Sequence, residues 1–150
     1  MSQPGSVWFA IQAFIALGLV AAPFISHSGI DVPRILLGCA VGALGLVGLL
    51  LSYRTLGKSH SPWTRPLDGA RLVTTGPYAL VRHPVYTCYV AIGLGLELAT
   101  GSLLGVGFVV AAFIYYDLRT REEDKWLAAT YTDFDHYRDR VRGRLIPGVY

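Results

Sequence analysis

Long uncharged segments alternate with short polar ones along the chain. Residues 7–25 and 35–53 are each 19 residues without a charged side chain, long enough for a helix to cross the roughly 30 Å of bilayer hydrocarbon. Two shorter apolar segments, 86–100 and 103–116, are separated by Thr100-Gly101-Ser102, a sequence typical of a tight turn. The pattern predicts about four transmembrane helices.

The last two predicted helices need extra length to cross a bilayer. Pro84 suits the first turn of one helix, and nothing breaks the other before about Thr130, so both can extend on the same side of the membrane. The predicted fold is therefore an all-α, polytopic membrane protein whose C-terminal helical hairpin continues into the aqueous phase. A re-entrant hairpin that never crosses the bilayer fits the same pattern.

The composition supports a membrane protein. Hydrophobic residues make up 53% of the chain and charged residues 15%, with a mean hydropathy of +0.44, whereas about a quarter of an ordinary soluble domain is charged. Residues 1–150 are interpreted as one membrane domain with no room for a separate soluble catalytic domain. The cysteines and histidines show neither a disulfide pattern nor metal-ligand spacing, so no metal site is predicted.

The basic residues indicate the orientation of the predicted spans. Twelve of the thirteen Lys and Arg residues fall in the loop 54–85 or the tail 117–150, and only Arg34 falls opposite. The positive-inside rule then places both termini, the loop and the tail in the cytoplasm. Because these residues flank apolar segments, topology and contacts with membrane lipids explain the net charge of +3 better than nucleic-acid binding does.

Four glycines of the second span, at positions 38, 42, 45 and 48, keep one face of that helix small. Such a face allows close helix–helix contact. It fits an internal contact as well as a homo-oligomer.

Candidate chemistry is concentrated in 76–86, Gly-Pro-Tyr-Ala-Leu-Val-Arg-His-Pro-Val-Tyr, and in Glu122-Glu123. On a continuous fourth helix, spacings of three and four predict one shared face for Tyr116, Arg119, Glu122, Glu123 and Trp126. A solvated helix end would show the same spacing. However, the predicted hairpin brings this face towards Arg82-His83, so the sequence predicts one polar site at the membrane edge.

Five motifs in order carry a resemblance to a known family. They are Leu72-Val73-Thr74-Thr75-Gly76-Pro77-Tyr78, Arg82-His83-Pro84-Val85-Tyr86, Arg119 with Glu122-Glu123, Tyr137, and Arg144-Leu145-Ile146-Pro147. Together they cover about half of the chain and resemble the isoprenylcysteine carboxyl methyltransferase family, which is similar in turn to the membrane phospholipid methyltransferases. The resemblance implies a membrane enzyme that binds S-adenosylmethionine in a cytosolic pocket and methylates a lipophilic or lipidated acceptor that enters from the lipid.

The resemblance also implies a set of cofactor-binding residues, whose chemistry fits the donor. Arg82, His83 and the first turn after Pro84 could bind its carboxylate, and Glu122 and Glu123 could accept hydrogen bonds from its ammonium and ribose hydroxyls. Tyr78, Val81, Tyr86 and Tyr137 are candidates for the adenine pocket. The turn at Gly76-Pro77 would let the backbone approach the ligand closely.

The catalytic candidates are Arg119 and His83. If the acceptor is a carboxylate, no base is needed and Arg119 would hold it in two-point fashion; if it is an amine or a thiol, His83 or a glutamate is the expected base. Two other classes of protein remain as alternatives. One is an NADPH-dependent membrane reductase of the sterol-reductase type, which shares a similar Arg-His-Pro-x-Tyr hairpin, and the other is a non-enzymatic membrane protein whose polar residues cap helices.

Overall fold

Helices account for the regular structure of the chain. The computed structural model describes residues 4–59 and 69–149, and within these ranges it contains no β-strand. The α-helices are α1 (Pro4–Ile25), α2 (Val32–Leu56), α3 (Pro84–Thr100), α4 (Leu103–Thr130) and α5 (Phe134–Arg140), with short 3₁₀ helices at Gly57–Ser59 and Gly76–Ala79. The prediction of an all-helical polytopic membrane protein is confirmed. The predicted loop positions 60–68 lie outside the described residues.

Three helices are long and apolar enough to cross a membrane: Val7–Ile25 within α1, Val32–Leu56 and Leu103–Thr130. Many of their large apolar side chains face outward, as Phe14 and Leu44 do with 67% and 73% exposure. Such surfaces suit lipid rather than water. The apolar helix α3 has only 17 residues, so a fourth span remains a prediction. The expected limits at Pro84 and Thr130 are confirmed.

The chain forms two compact units, and α2, α3 and α4 contribute residues to both. The first unit comprises Met1–Leu46 and Tyr89–Tyr115, and the second comprises Val47–Cys88 and Tyr116–Tyr150.

In the first unit, glycines allow α2 and α3 to approach backbone to backbone. A Cβ atom on Gly95 of α3 would lie 2.5 Å from the nitrogen of Gly42 and 2.7 Å from the carbonyl oxygen of Gly38, distances that no real side chain occupies. The small face of α2 therefore makes a contact within the chain. Helix α1 packs on α4, where the Tyr115 hydroxyl donates to the Trp8 carbonyl at 2.7 Å.

The connection between α3 and α4 is short. Gly101 has a φ of +67°, a left-handed conformation that favours glycine, and α4 begins two residues later. The Ser28 amide donates to the Thr100 carbonyl at 3.2 Å. One turn earlier, the buried carboxyl of Glu97 packs directly against Gly105, so a side chain at that glycine would displace it.

In the second unit, α5 packs a small apolar core. Phe134, Tyr137 and Val141 are buried, with Leu72 and Leu127 packed against them. The Tyr137 hydroxyl donates to the main-chain oxygen of Tyr78 at 2.7 Å. This bond fixes the 3₁₀ helix Gly76–Ala79 beside α5 and so positions the chain that leads into α3.

Candidate functional site

The first part of the site is the buried guanidinium of Arg82, which precedes α3. Its Nη1 donates to the carbonyl oxygens of Val141 and Arg142, both at 2.7 Å, and its Nη2 donates to Asp124 at 3.1 Å. The Arg82 amide also donates to the Gly143 carbonyl at 3.0 Å. Arg82 therefore joins the start of α3 to residues 141–145, which we call the C-terminal segment, and to α4.

Two further hydrogen bonds hold the C-terminal segment to the start of α3. The His83 amide donates to the Arg144 carbonyl at 3.1 Å, and the Thr87 hydroxyl donates to the Leu145 carbonyl at 2.6 Å. The backbone amides of Arg82 and His83 are thus bonded within the protein. The C-terminal segment satisfies donors that a helix start would otherwise leave unpaired.

The His83 ring lies between two carboxylates of α4. Its Nε2 is 2.7 Å from Oδ1 of Asp124, and its Nδ1 is 3.5 Å from Oε2 of Glu123. Burial alone would lower the pKa of His83, but the hydrogen bonds and negative charges of Asp124 and Glu123 outweigh it and raise the pKa above its usual range. The buried imidazole is therefore stabilised in its charged form.

Glu123 is also the acceptor for two other side chains. The Tyr86 hydroxyl donates to its Oε1 at 2.6 Å, and Nε of Arg119 donates to the same oxygen at 3.1 Å. The Arg119 guanidinium carbon lies 5.6 Å from the centre of the Tyr86 ring, a distance that permits a cation–π interaction. Tyr86 in turn stacks on Tyr116 with centroids 4.7 Å apart.

Arg144 lies at the edge of this network. Its Nη1 donates to Asp117 Oδ1 at 3.1 Å, and its Nε is 3.6 Å from Asp124 Oδ2. We define the polar cluster as Arg82, His83, Tyr86, Asp117, Arg119, Glu123, Asp124 and Arg144. With His83 protonated it holds four positive and three negative charges, and three of the cations, Arg82, His83 and Arg119, are buried.

The structure brings together five of the twelve residues predicted for the site. Arg82, His83 and Tyr86 of the first motif meet Arg119 and Glu123 of α4 as expected. Glu122 does not join them. Its carboxylate is 47% exposed and pairs with Lys125 at 2.7 Å.

The remaining predicted residues have packing positions. Tyr78, Val81 and Tyr137 are buried, and Pro84 opens α3. Pro77 belongs to the 3₁₀ helix, where its carbonyl accepts from the Leu80 amide. Gly76 has a φ of +60°, and a Cβ atom there would lie 3.0 Å from the Thr55 hydroxyl of α2. The backbone at Gly76 therefore lies close to α2. Their predicted roles towards a cofactor stay predictions.

Asp124 is the site residue that the sequence interpretation missed. Thr120 is fully buried and so marks the inward face of α4. Because a helix turns by about 100° per residue, the angle of any other residue from that face follows from its position in the chain. Asp124 lies about 40° from Thr120 on this measure, whereas Glu122 lies about 160° away. Centring the helix face on Thr120 would have predicted Glu123 and Asp124 as the inward pair.

These features define a class: an α-helical membrane protein with a buried cluster of charges at the start of one helix and in the middle of the next. The sequence profile of the family described as phospholipid methyltransferase matches residues 33–133. The chain therefore belongs to the phospholipid methyltransferase family, which includes the isoprenylcysteine carboxyl methyltransferases. The resemblance seen in the motifs is confirmed at this level.

Two curated relatives carry names that refer to metal resistance. The chain is 33% identical over 143 residues to the cobalt-zinc-cadmium resistance protein CzcN of Cupriavidus metallidurans, covering 90% of this chain and 60% of that protein. It is 28% identical over 137 residues to the nickel-cobalt-cadmium resistance protein NccN of Alcaligenes xylosoxydans xylosoxydans, covering 90% and 61%. The chain thus spans about three fifths of their length. Among the described residues, no three His, Cys, Asp or Glu side chains form a group that could hold a metal ion.

Proposed function

We propose that this chain is an integral-membrane, S-adenosylmethionine-dependent methyltransferase acting on a lipophilic acceptor. The observation that carries the proposal is the polar cluster, because a membrane-type chain of this family concentrates buried cations and carboxylates where α3 begins and α4 passes it. Charged groups withdrawn from water inside a membrane protein mark functional sites. We place this site on the cytoplasmic side, in agreement with the distribution of Lys and Arg.

The chemistry of the polar cluster fits the donor. S-adenosylmethionine presents a carboxylate, an ammonium and ribose hydroxyls, and the cluster offers guanidinium groups for the first and the Glu123 carboxylate for the others. In addition, Nε of Arg82 is a buried donor with no hydrogen-bond partner among the described residues. An unsatisfied buried donor costs about 1–3 kcal/mol, which a ligand oxygen would relieve.

When bound, the cofactor supplies an already activated methyl group, so the protein mainly has to align the acceptor and exclude water. We assign alignment to Arg119 and Tyr86, whose contacts with Glu123 fix their positions, and the charged wall of the site to His83. For a carboxylate acceptor, as in isoprenylcysteine-type substrates, Arg119 would exchange part of its contact with Glu123 for the acceptor. The outward apolar faces of the helices suit delivery of such an acceptor from lipid.

Binding of S-adenosylhomocysteine to the detergent-purified protein tests the donor. We expect saturable binding by calorimetry, lost in His83→Ala and retained in His136→Ala, because His136 is exposed on α5. NADPH serves as the competing ligand. Binding of NADPH instead, or of neither ligand by the folded protein, would overturn the proposal in favour of a reductase or a non-enzymatic protein.

The acceptor requires a separate assay. Transfer of labelled methyl groups to a farnesylated cysteine with a free carboxylate is expected, and the same compound with its carboxylate blocked as an amide is the matched control. Equal labelling of both compounds would exclude the carboxylate as acceptor, and labelling of a phospholipid amine instead would redirect the substrate class.

A second candidate is a role in metal resistance, favoured by 33% identity to CzcN over 90% of this chain. We infer such a role only through the proposed methyl transfer. Expression in a metal-sensitive bacterium should then raise tolerance to cobalt, zinc or cadmium salts, and His83→Ala should abolish the gain. Equal tolerance with wild type and variant would reject this link.

A further inference from the structure

The two ring nitrogens of His83 face different carboxylates. Nε2 lies 2.7 Å from Asp124 Oδ1, and Nδ1 lies 3.5 Å from Glu123 Oε2. The ring is buried, and its own main-chain nitrogen is engaged with the Arg144 carbonyl. The carboxylates come from neighbouring positions of α4, so the helix presents both to one ring.

Nε2 makes a hydrogen bond with Asp124, and Nδ1 lies at an ion-pair distance from Glu123, so a neutral imidazole would leave one unprotonated nitrogen beside a carboxylate. The neutral ring carries one N–H donor and one nitrogen with an exposed lone pair, and that lone pair would point at a carboxylate oxygen at either position. Only the imidazolium ion donates from both nitrogens. We propose that His83 is a fixed cation of the methyl-donor site and not its general base, and that Asp124 is a positioning residue that keeps the ring charged and oriented.

The other side chains around the His83 ring are compatible with its positive charge. Tyr86 of α3 stacks beside it with centroids 6.1 Å apart and donates to Glu123 rather than to the ring. Arg82 and Arg144 contact Asp124, and Arg119 contacts Glu123. Burial alone would raise the pKa of Asp124, but the contacts with His83 and Arg82 hold it below its usual range, so this carboxylate stays ionised beside the ring. The raised pKa of His83 agrees with the geometry.

The inference rests on the proposed function and removes His83 as a candidate base. In methyl transfer, the acceptor lone pair forms the new bond to the methyl carbon while the carbon–sulfur bond breaks and its electron pair stays on sulfur. With both nitrogens of His83 protonated, the ring has no lone pair to accept a proton. A carboxylate acceptor needs no base, whereas a proton on an amine or thiol acceptor would have to leave to a glutamate or to water and not to His83.

The charge of His83 can be measured without any ligand. The chain has four histidines, so ¹⁵N-histidine labelling gives a small set of resonances, and the His83 signals are those absent from His83→Gln. At about pH 7.5, a full unit above the usual histidine pKa, we expect both His83 nitrogens to show the shifts of protonated nitrogens. One unprotonated nitrogen at that pH would overturn the inference.

A variant separates positioning by Asp124 from general packing. Asp124→Asn keeps the size of the side chain but removes its charge. His83 should then lose its proton at a pH at least about one unit lower than in the wild type, which is a tenfold higher proton concentration. Asp135→Asn, on the exposed Arg138 pair, is the control and should leave them unchanged. If the Asn variant does not fold, Asp124→Glu, which keeps the charge, replaces it and should leave both His83 nitrogens protonated; the wild-type spectrum still decides the charge of His83. An unshifted titration in a folded Asn variant would reject the role of Asp124.

The same samples distinguish the two proposals. A doubly protonated His83 in a protein that binds no S-adenosylhomocysteine would refute the proposed function and leave the charge assignment intact. Conversely, binding by a protein whose His83 is neutral would support the function and refute this inference. With both correct, S-adenosylhomocysteine affinity should change less than about twofold from pH 6 to 7.5 in the wild type and fall over that range in Asp124→Asn.

Discussion

Glu122 and Glu123 are adjacent in the chain, yet their carboxylates have different surroundings. Glu123 accepts from Tyr86 at 2.6 Å and from Arg119 at 3.1 Å, whereas Glu122 pairs with the exposed Lys125 at 2.7 Å. One step along α4 turns a side chain by about 100°, enough to move it from the polar cluster to the surface.

This difference predicts unequal effects of equal substitutions. Glu123→Gln removes the charge that Arg119 and Tyr86 contact, and we expect a loss of S-adenosylhomocysteine affinity of about 10- to 100-fold, the range for a charge-assisted hydrogen bond. Glu122→Gln is the matched control, with a change below about twofold. Calorimetric titration measures both. Equal losses would mean that Glu122 reaches the ligand as the sequence first indicated.

Arg82 should stabilise the protein because its guanidinium donates to two main-chain carbonyls and to Asp124. Lysine keeps the charge but cannot reach two carbonyls and Asp124 at once, so Arg82→Lys should lower the free energy of unfolding by about 2–3 kcal/mol. Arg121→Lys is the control, because its pair with Asp117 is half exposed and should matter by less than about 0.5 kcal/mol. Thermal unfolding in detergent compares the two. An Arg82→Lys protein with the unfolding free energy of the wild type would contradict a stabilising role for these Arg82 hydrogen bonds.

The contact between α2 and α3 predicts a difference between two glycines. Gly95→Ala would place Cβ against the backbone of Gly42 and Gly38, so we expect it to destabilise the protein by about 1–3 kcal/mol, as overpacking does. At Gly107 of α4 a Cβ meets nothing within 4 Å, and Gly107→Ala should be neutral or stabilise by up to about 1 kcal/mol. Denaturation in the same detergent measures both stabilities. A Gly95→Ala protein as stable as Gly107→Ala would contradict the prediction.

The raised pKa of His83 predicts how stability depends on pH. The folded protein binds this proton more tightly than the unfolded chain, so the stabilisation is fully present below the unfolded pKa of about 6.5. It is lost as pH rises through the higher folded pKa. The difference in unfolding free energy between wild type and His83→Gln should therefore shrink from about pH 6 to alkaline pH. A difference that grows over this range would contradict the assigned sign.

The helices could be predicted because their signals are local. Uncharged runs gave the apolar segments, Pro84 marked the start of α3, and the absence of a breaker carried α4 to Thr130. The shared location of Arg82-His83 and Glu123 also followed, since the turn at Gly101 connects their helices. The number of spans did not follow from these signals, because the 17 residues of α3 are fewer than a full crossing needs.

The partners within the site could not be predicted in the same way. Arg82 binds carbonyl oxygens about sixty positions away, and every residue has a carbonyl, so no side-chain type in the C-terminal segment marks it as the acceptor. Asp124 was missed for a geometric reason: the helix face was centred on Arg119, whereas burial centres it on Thr120. Both depend on tertiary packing.

The C-terminal segment also sets the order in which the site can be assembled during synthesis. Helices α3 and α4 emerge from the ribosome first, but the carbonyls of 141–145 that occupy Arg82, His83 and Thr87 are translated later. Until then Arg82 and the backbone donors before α3 must stay hydrated, because burying them unpaired is costly. Nascent chains that end before residue 141 therefore lack the carbonyl acceptors that close the polar cluster.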